Sequence, residues 1–179
     1  MCIRDSGRSW VQPNFQPSNV SRRGIFALDN LWDGLGSIVV DNPHIEYYSG
    51  KVTIYSSFNA EARDALMCFL DCFFNDPDGL ISPIKAVGFS TNIEEFKESL
   101  AGLDYKQGYK LLNNFVRNLG ENIPPLINSY MSLSPTMRSF GTVINQDFGD
   151  VEETMILVKI QDIYDEKKSR HIDSYKPPF

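Results

Sequence analysis

The stretch GRSWVQPNFQPSNVSRRGIFALDNLWDGLG, residues 7–36, decides the fold of this chain. Residues 8–12 (RSWVQ) alternate their side chains as a half-buried strand does. Pro13 and Pro17 end that strand, because proline cannot donate a hydrogen bond to a strand ladder. The remainder predicts a helix, since its apolar residues recur at helical spacing on one face: Leu28, Leu31, Trp32, Leu35, Ile38 and Val39.

A basic loop leads into this helix. Ser21, Arg22, Arg23 and Gly24 stand just ahead of the apolar stripe. The start of a helix presents several unpaired N–H groups together with the positive end of the helix dipole. Two guanidinium groups and a glycine at such a position favour a bound phosphate.

The order of strand, basic loop and helix resembles the GNAT acyltransferase fold, which holds the pyrophosphate or phosphopantetheine of an acyl donor in this way. The strings GRSWVQP and SRRGIFALDNLWDGLG resemble a narrower branch, the haemolysin-like, ornithine-lipid and glycine-lipid N-acyltransferases of bacteria. This resemblance extends from Gly7 to about Tyr175. It implies a mixed α/β domain with a mixed sheet flanked by helices. It also implies transfer of a (3-hydroxy)acyl chain from acyl carrier protein to the amine of glycine or ornithine, the first step of aminolipid synthesis.

Length and composition fit that class. A chain of 179 residues predicts one domain, and a hydrophobic content of 42% is enough for a core. The net charge of −6 argues against a general nucleic-acid binder. The sequence has no run of 18 apolar residues, so no membrane-spanning helix is expected. Cys68 and Cys72 are interpreted as small core residues of a protein from a reducing cytoplasm, with peripheral contact to the inner membrane as a further expectation.

The first six residues, MCIRDS, look like a translated sequencing-adapter remnant and are set aside. Residues 7–175 are interpreted as the C-terminal part of a single GNAT-like domain, followed by a tail at 176–179. We therefore expect residues 1–6 to be unpaired, and a strand at 7–12 to lie parallel to 51–55 at an open sheet edge. Such a fragment, expressed alone, is expected to be inactive and poorly soluble.

The rest of the chain alternates between strand and helix signals. A strand is predicted at 47–56, with a bulge at Gly50, and a helix at 60–74 with Asn59 as its N-cap. Thr91 and Glu94 form a capping-box pattern for a helix that ends near Gly102. Further elements are a helix after Asp104, a short helix opened by prolines 124 and 125, and antiparallel strands at 141–148 and 154–160.

Two helical features leave alternatives open. Asn59 and Ala62 are similar to the second donor-binding motif of GNAT enzymes, in which the asparagine contacts the pantetheine arm, but capping alone also explains Asn59. The helix that follows is apolar almost all round over 65–74. Phe69, Phe73 and Phe74 are therefore either core residues or the wall of an acyl channel.

The resemblance returns towards the C-terminus. Residues 123–133 (IPPLINSYMSL) are similar to a Pro-Pro-Leu segment of the family that ends in Tyr-x-x-Leu. The acidic residues 150–153 (DVEE) form an insert where the ornithine branch is shorter, which favours a glycine-lipid relative. Arg170 and His171 resemble the closing segment of the family, with a helix cap or a salt bridge as the alternative.

Transfer of an acyl group from a thioester to an amine requires a held donor, a neutral amine and donors for the developing oxyanion. Backbone N–H groups of Trp10, Val11 and Gln12 are candidates for the carbonyl and the pantetheine amides. The co-substrate implied is an acyl-phosphopantetheine, carried by acyl carrier protein or by CoA. No metal site and no Ser-His-Asp arrangement are visible in the sequence.

The catalytic base is not assigned, because the glutamate of the resembled family would lie just before Gly7. Within this chain Glu152, Glu153 and Asp147 are acidic candidates, with a solvated charged turn as the alternative. Two other functions stay open: an acetyl-CoA-dependent N-acetyltransferase of the same fold, and a non-catalytic haemolysin-like binding protein.

Overall fold

The structure, a computed structural model, describes residues 3–5 and 27–177, and the side chains of residues 30–177. Within these ranges the chain forms a mixed sheet and a set of helices. In chain order the elements are β1 (Ile3–Asp5), α1 (Ala27–Asp41), β2 (Tyr47–Ile54), α2 (Ala60–Phe73), α3 (Glu94–Leu100), α4 (Tyr105–Asn118), α5 (Pro125–Met131), β3 (Arg138–Asn145), β4 (Val151–Lys159) and α6 (Asp165–His171).

The four described strands form one sheet in the order β1-β2-β4-β3. β1 pairs in parallel with β2, with Ile3 opposite Tyr47 and Asp5 opposite Ser49. β4 lies antiparallel to both β2 and β3. The predicted mixed α/β fold is therefore confirmed, as are the two antiparallel late strands, and α1 connects the parallel pair as a crossover helix.

The start of the chain differs from the prediction. Residues 3–5 pair with β2, so the expectation that residues 1–6 are unpaired is wrong for this part. The predicted strand at 7–12 lies outside the described residues, and so does its pairing with 51–55. The bulge expected at Gly50 is also wrong, because Gly50 pairs with Ile156 in an unbroken ladder. The register shifts instead in β3, between Ser139 and Thr142.

The first two helices follow the sequence pattern and cover the sheet. In α1, Trp32 and Leu35 are buried, and the Tyr48 hydroxyl of β2 donates to the Leu35 carbonyl at 2.8 Å. Gly36 lies against α6, where a methyl group would collide with the His171 carbonyl. Every residue of α2 from 62 to 70 is buried, so this helix forms the centre of the core.

The capping box predicted at Thr91 does not form. The Glu94 N–H donates to Asn92 Oδ1 at 3.2 Å, whereas the N–H and the hydroxyl of Thr91 donate to Asp64 of α2. A capping box does form one helix later, where the side chains of Asp104 and Gln107 each accept the other's backbone N–H. The predicted helix is therefore present, but Thr91 does not cap it, because its N–H and hydroxyl bond the buried Asp64 carboxylate instead.

The late strands begin earlier than predicted, at Arg138 and Val151. The turn between them occupies residues 146–150 and includes Gly149 at φ 73° and Asp150 at φ 54°. Most of the acidic insert therefore belongs to a strand.

Among the described residues, no helix combines the length and the apolar character that crossing a bilayer requires.

Candidate functional site

The end of the parallel pair is the first feature of interest. Within the described residues β1 ends opposite Ser49, whereas β2 continues to Ile54 with β4 on its other side. Beyond Ile54 the chain turns, and Asn59 begins α2. The carboxyl end of β2 and the N-terminal end of α2 therefore lie at one edge of the domain.

Most of the predicted donor-binding residues are not described by the structure. Trp10, Val11, Gln12, Ser21, Arg22, Arg23 and Gly24 all fall outside the described ranges. The helix expected to follow them is present, since α1 begins at Ala27 and has 15 residues. In the sequence, Gly24 precedes the first residue of this helix by three positions, and the phosphate hypothesis stays a prediction.

Asn59 has a defined structural role. Its Oδ1 accepts the N–H groups of Glu61 and Ala62 at 2.9 and 3.1 Å, which confirms the N-cap. Its own N–H donates to Glu121 Oε1 at 3.0 Å. Because Oδ1 is used by the cap, a contact with a pantetheine arm would depend on the side-chain NH2 group, which can only donate.

The acidic candidates separate into three environments. Glu152 and Glu153 lie in β4 on opposite faces of the sheet, so the solvated-turn interpretation is wrong for both. Glu153 Oε2 lies 2.8 Å from Lys51 Nζ, and Glu152 Oε2 lies 3.3 Å from Arg63 Nε. Asp147 lies in the exposed turn. Lys51 beside Glu153 favours the ionised form of that carboxylate, which makes a weaker base and counts against a proton-accepting role for Glu153. The Glu152 carboxylate is engaged by its contact with Arg63.

The Glu153–Lys51 pair predicts a pH dependence of stability. Partial burial acts to raise the pKa of Glu153, but hydrogen bonds from Lys51 and Asn145 outweigh it and hold that pKa below its usual range. A lowered pKa in the folded state adds stability above the ordinary glutamate range, and this is lost as the pH falls through the folded value. Lys51→Met should therefore cost up to about 1 kcal/mol near neutral pH, and nothing once Glu153 is protonated. Urea unfolding of both forms across acidic pH checks this; a difference that does not vanish would contradict it.

A buried charged cluster connects α2 to the segment before α3, and sequence reasoning missed it. Asp64 is fully buried, and its Oδ2 accepts from the N–H groups of Ser90 and Thr91, each at 2.7 Å, and from the Thr91 hydroxyl at 2.8 Å. Its Oδ1 lies 2.6 Å from Arg63 Nη1, a close ionic contact without hydrogen-bond geometry. Arg63 Nη1 also donates to the Gly88 carbonyl at 2.9 Å. The signal available in the sequence was a pair of adjacent charges, Arg63 and Asp64, directly before the apolar run 65–70.

The candidate channel residues lie in an aromatic cluster. Phe69 is fully buried and packs against Phe73 and Tyr105, with ring centroids 4.7 and 6.0 Å away. Gly108 of α4 lies directly under the Phe73 ring. A small open cavity of about 100 Å³ adjoins the cluster and is lined by Phe73, Phe74, Tyr105, Met131, Pro135 and Tyr164. Two of the three predicted residues, Phe73 and Phe74, thus line this cavity, while Phe69 lies in the core beside it.

A second small cavity, of about 130 Å³, lies between α2 and β3. Its polar lining includes Asp71, Ser139 and the paired hydroxyls of Thr142 and Thr154, 2.7 Å apart. Burial raises the pKa of Asp71, and among the described residues Ser139 Oγ has no hydrogen-bond partner. The cavity lies beside the C-terminal half of α2, away from Asn59 at the start of that helix.

Histidine and cysteine occupy structural positions. His171 Nδ1 lies 2.6 Å from Asp33 Oδ1, which matches the salt-bridge alternative for the closing segment. Cys68 is buried, as predicted, and burial together with Cys72 raises its pKa to about 12, which keeps it a thiol. Cys72 is exposed, so the core interpretation is wrong for it. The described residues contain no group of three or more His, Cys, Asp or Glu side chains that could hold a metal ion.

Comparison with known proteins gives a consistent pattern. The chain is 48% identical over 169 residues to a protein of Phocaeicola vulgatus named glycine N(alpha)-acyltransferase, covering 94% of this chain and 52% of that protein. It is 47% identical over 169 residues to a protein of Bacteroides thetaiotaomicron with the same name, covering 94% of this chain and 50% of that one. The chain therefore spans about half the length of these curated relatives. No family model and no solved structure matches it.

Proposed function

We propose that the protein is an N-acyltransferase that moves a (3-hydroxy)acyl chain from the phosphopantetheine of acyl carrier protein to the amine of glycine. The observation that carries this proposal is the near 50% identity, over 94% of the chain, to two proteins named glycine N(alpha)-acyltransferase. The parallel β1-α1-β2 unit supports a GNAT-like frame, because in the sequence the basic residues Arg22 and Arg23 stand a few positions before α1. Helix starts of this kind suit the phosphate of an acyl donor.

Each step of the proposed reaction requires a particular group in the site. The amine nitrogen, once neutral, attacks the thioester carbonyl, the new C–N bond forms, and the C–S bond breaks to release the pantetheine thiolate. Backbone N–H groups of Trp10, Val11 and Gln12 would hold the carbonyl oxygen as its charge develops. Arg22 and Arg23 would hold the phosphate. The ammonium proton must leave to a base that we do not assign within the described residues, since Glu152 and Glu153 are both ion-paired.

Glycine is proposed as the acceptor in preference to ornithine. The names of the two relatives favour glycine. The sequence also departs from the ornithine branch at residues 150–153, and three of these residues lengthen β4. The cavity at Phe73 and Phe74 is a candidate for the distal end of an acyl chain, because its lining is largely apolar and aromatic.

The test is direct product detection. The protein expressed from its complete reading frame is incubated with 3-hydroxyacyl carrier protein and glycine, and N-acylglycine is measured by mass spectrometry. Parallel reactions with ornithine, and with acetyl-CoA as donor, should give little or no product. Preferred use of acetyl-CoA would support an ordinary N-acetyltransferase instead. Absence of transfer to any amine would support a non-catalytic binding protein.

The phosphate hypothesis predicts a selective kinetic effect. Changing both Arg22 and Arg23 to alanine should weaken binding of the acyl donor by about 2–4 kcal/mol, at about 1–2 for each charge-assisted contact. Glycine binding should hardly change, because the arginines are proposed to contact the donor alone. The measurement compares KM for acyl carrier protein thioester with KM for glycine, at two salt concentrations.

Arg117→Ala is the matched control, since this arginine lies exposed in the last turn of α4. It should leave both constants unchanged. An unchanged donor KM in the double variant, or an equal increase in KM for both substrates, would rule out a phosphate-binding site at Arg22 and Arg23.

A further inference from the structure

The segment between α2 and α3 contains an apolar loop, residues 80–89, that lies along β3. Its large side chains are unusually open to solvent: the exposed fractions are 55% for Leu80, 41% for Ile81, 100% for Ile84 and 46% for Phe89. Single exposed apolar residues are normal on a protein surface. Several within one short loop indicate a surface that contacts another apolar phase.

The apolar loop is held in place at both ends and at its middle. At its start, Asp76 Oδ2 accepts the Leu80 N–H at 2.5 Å, and Asp76 Oδ1 lies 2.9 Å from Arg138 Nη1. In the middle, the Val87 N–H donates to the Thr142 carbonyl of β3 at 2.9 Å. After its end, the buried Asp64 accepts the backbone N–H of Ser90 and of Thr91.

These contacts determine which side chains face inwards. Pro83 and Val87 are half-buried, and Pro83 packs over Gly141 of β3. Leu80, Ile81 and Ile84 face away from the protein. The backbone of the loop is therefore held in place before any partner binds, so little backbone entropy is lost on contact.

The charge of the apolar loop differs from that of the rest of the chain. Between Gly79 and Ser90, Lys85 is the one charged residue, and it is exposed. The chain as a whole has a net charge of −6. A cation among exposed apolar side chains fits a surface that offers anionic groups above an apolar layer, as a bilayer with anionic lipids does.

We propose that the apolar loop docks this protein onto the surface of a bilayer that contains anionic lipids. Leu80, Ile81, Ile84 and Phe89 enter the interface, and Lys85 contacts the headgroups. A bilayer is favoured over a protein partner because insertion of a fully exposed Ile84 needs no pocket of complementary shape. The inference rests on the proposed function, since an N-acylglycine with a long chain is an amphiphile that leaves the enzyme into lipid.

Co-sedimentation with lipid vesicles tests this proposal on the protein expressed from its complete reading frame. Vesicles of phosphatidylcholine mixed with phosphatidylglycerol should retain the wild type. Ile84→Asp should weaken binding about tenfold or more, because it removes the aliphatic side chain that the proposal places in the bilayer and adds a charge that the anionic headgroups repel. Lys85→Glu should weaken binding to the mixed vesicles more than to phosphatidylcholine alone. Tyr55→Asp is the matched control, since Tyr55 is 63% exposed just beyond β2, and it should bind like the wild type.

Three results would overturn the docking site. The first is that the wild-type protein stays in the supernatant, and the second is that wild type and Ile84→Asp sediment equally with the vesicles. The third is that neither form binds vesicles, while the wild type forms a dimer without lipid and Ile84→Asp does not. The last result would assign the loop to a second copy of the chain. Transfer to glycine, assayed with a soluble donor and no vesicles, separates the two proposals. Activity without vesicle binding would contradict the docking proposal and leave the proposed function standing. Vesicle binding that depends on the loop, without activity, would contradict the proposed function and leave the docking proposal standing.

Discussion

Asp64→Ala should lower the free energy of unfolding by about 3–5 kcal/mol, because it removes the fully buried partner of an ion pair and leaves Arg63 with the longer contact to Glu152, at 3.3 Å. Asp64 is fully buried, and Arg63 is also buried, with an ionic contact of 2.6 Å between them. The substitution also leaves the N–H groups of Ser90 and Thr91 without their acceptor. Each buried donor left unsatisfied adds to the cost.

Urea unfolding followed by circular dichroism measures this effect, and limited proteolysis shows where it acts. Cleavage should increase first at the apolar loop, since Asp64 fastens the end of that segment to α2. Asp64→Asn should lose less, because an amide oxygen can still accept one or both N–H groups although its charge is gone.

Asp78→Ala provides the matched control. Asp78 also contacts an arginine, at 2.6 Å from Arg138 Nη1, but its side chain is 58% exposed and Arg138 keeps Asp76 as a second partner. Its loss should cost no more than about 1 kcal/mol. Equal costs for the two aspartates would show that burial of Asp64 contributes nothing to stability.

Phe69→Ala is the second substitution for which a large effect is expected, again about 3–5 kcal/mol. Phe69 is fully buried in α2 and contacts the rings of Phe73, Phe74 and Tyr105. Removal of its ring takes apolar area out of the core and leaves a void that the surrounding helices can fill only in part. Thermal and urea unfolding both report the loss.

Phe148→Ala is the control for Phe69, since Phe148 is 59% exposed in the turn before β4, and its loss should stay within about 0.5 kcal/mol. A small effect of Phe69→Ala would mean that this ring is not a core residue. Phe73 and Phe74 differ, because they line the open cavity. If that cavity receives an acyl chain, Phe73→Ala should shift the preferred chain length while costing less stability than Phe69→Ala.

Local sequence signals determined much of the helical structure. The apolar stripe that includes Trp32 and Leu35 marks α1, Asn59 caps α2, and Asp104 opens α4. Positive φ angles at Gly102 and Gly120 end α3 and α4, as their positions in the sequence indicated. These features depend on contacts between residues within a few positions of each other, so the pattern alone carries them.

The sheet was determined less completely. The sequence predicted two antiparallel late strands, and these are present. The predicted parallel pairing of 7–12 with 51–55 lies outside the described residues. The sequence did not predict that Ile3–Asp5 forms the strand parallel to β2, or that Val151 and the glutamates after it continue β4. Strand limits depend on the partner strand, which lies far away along the chain, and period-2 patterns in short segments do not fix them.

Only the tertiary structure showed what the polar residues of the interior do. Thr91 carries a capping signal, and nothing near it in sequence indicates that Asp64 takes its hydroxyl and its N–H. Glu152 and Glu153 look like a solvated turn until β4 places them beside Arg63 and Lys51. The physical reason is common to both cases: a carboxylate that folding removes wholly or partly from water must find hydrogen-bond donors or a cation, and the residues that supply them need not be near in sequence.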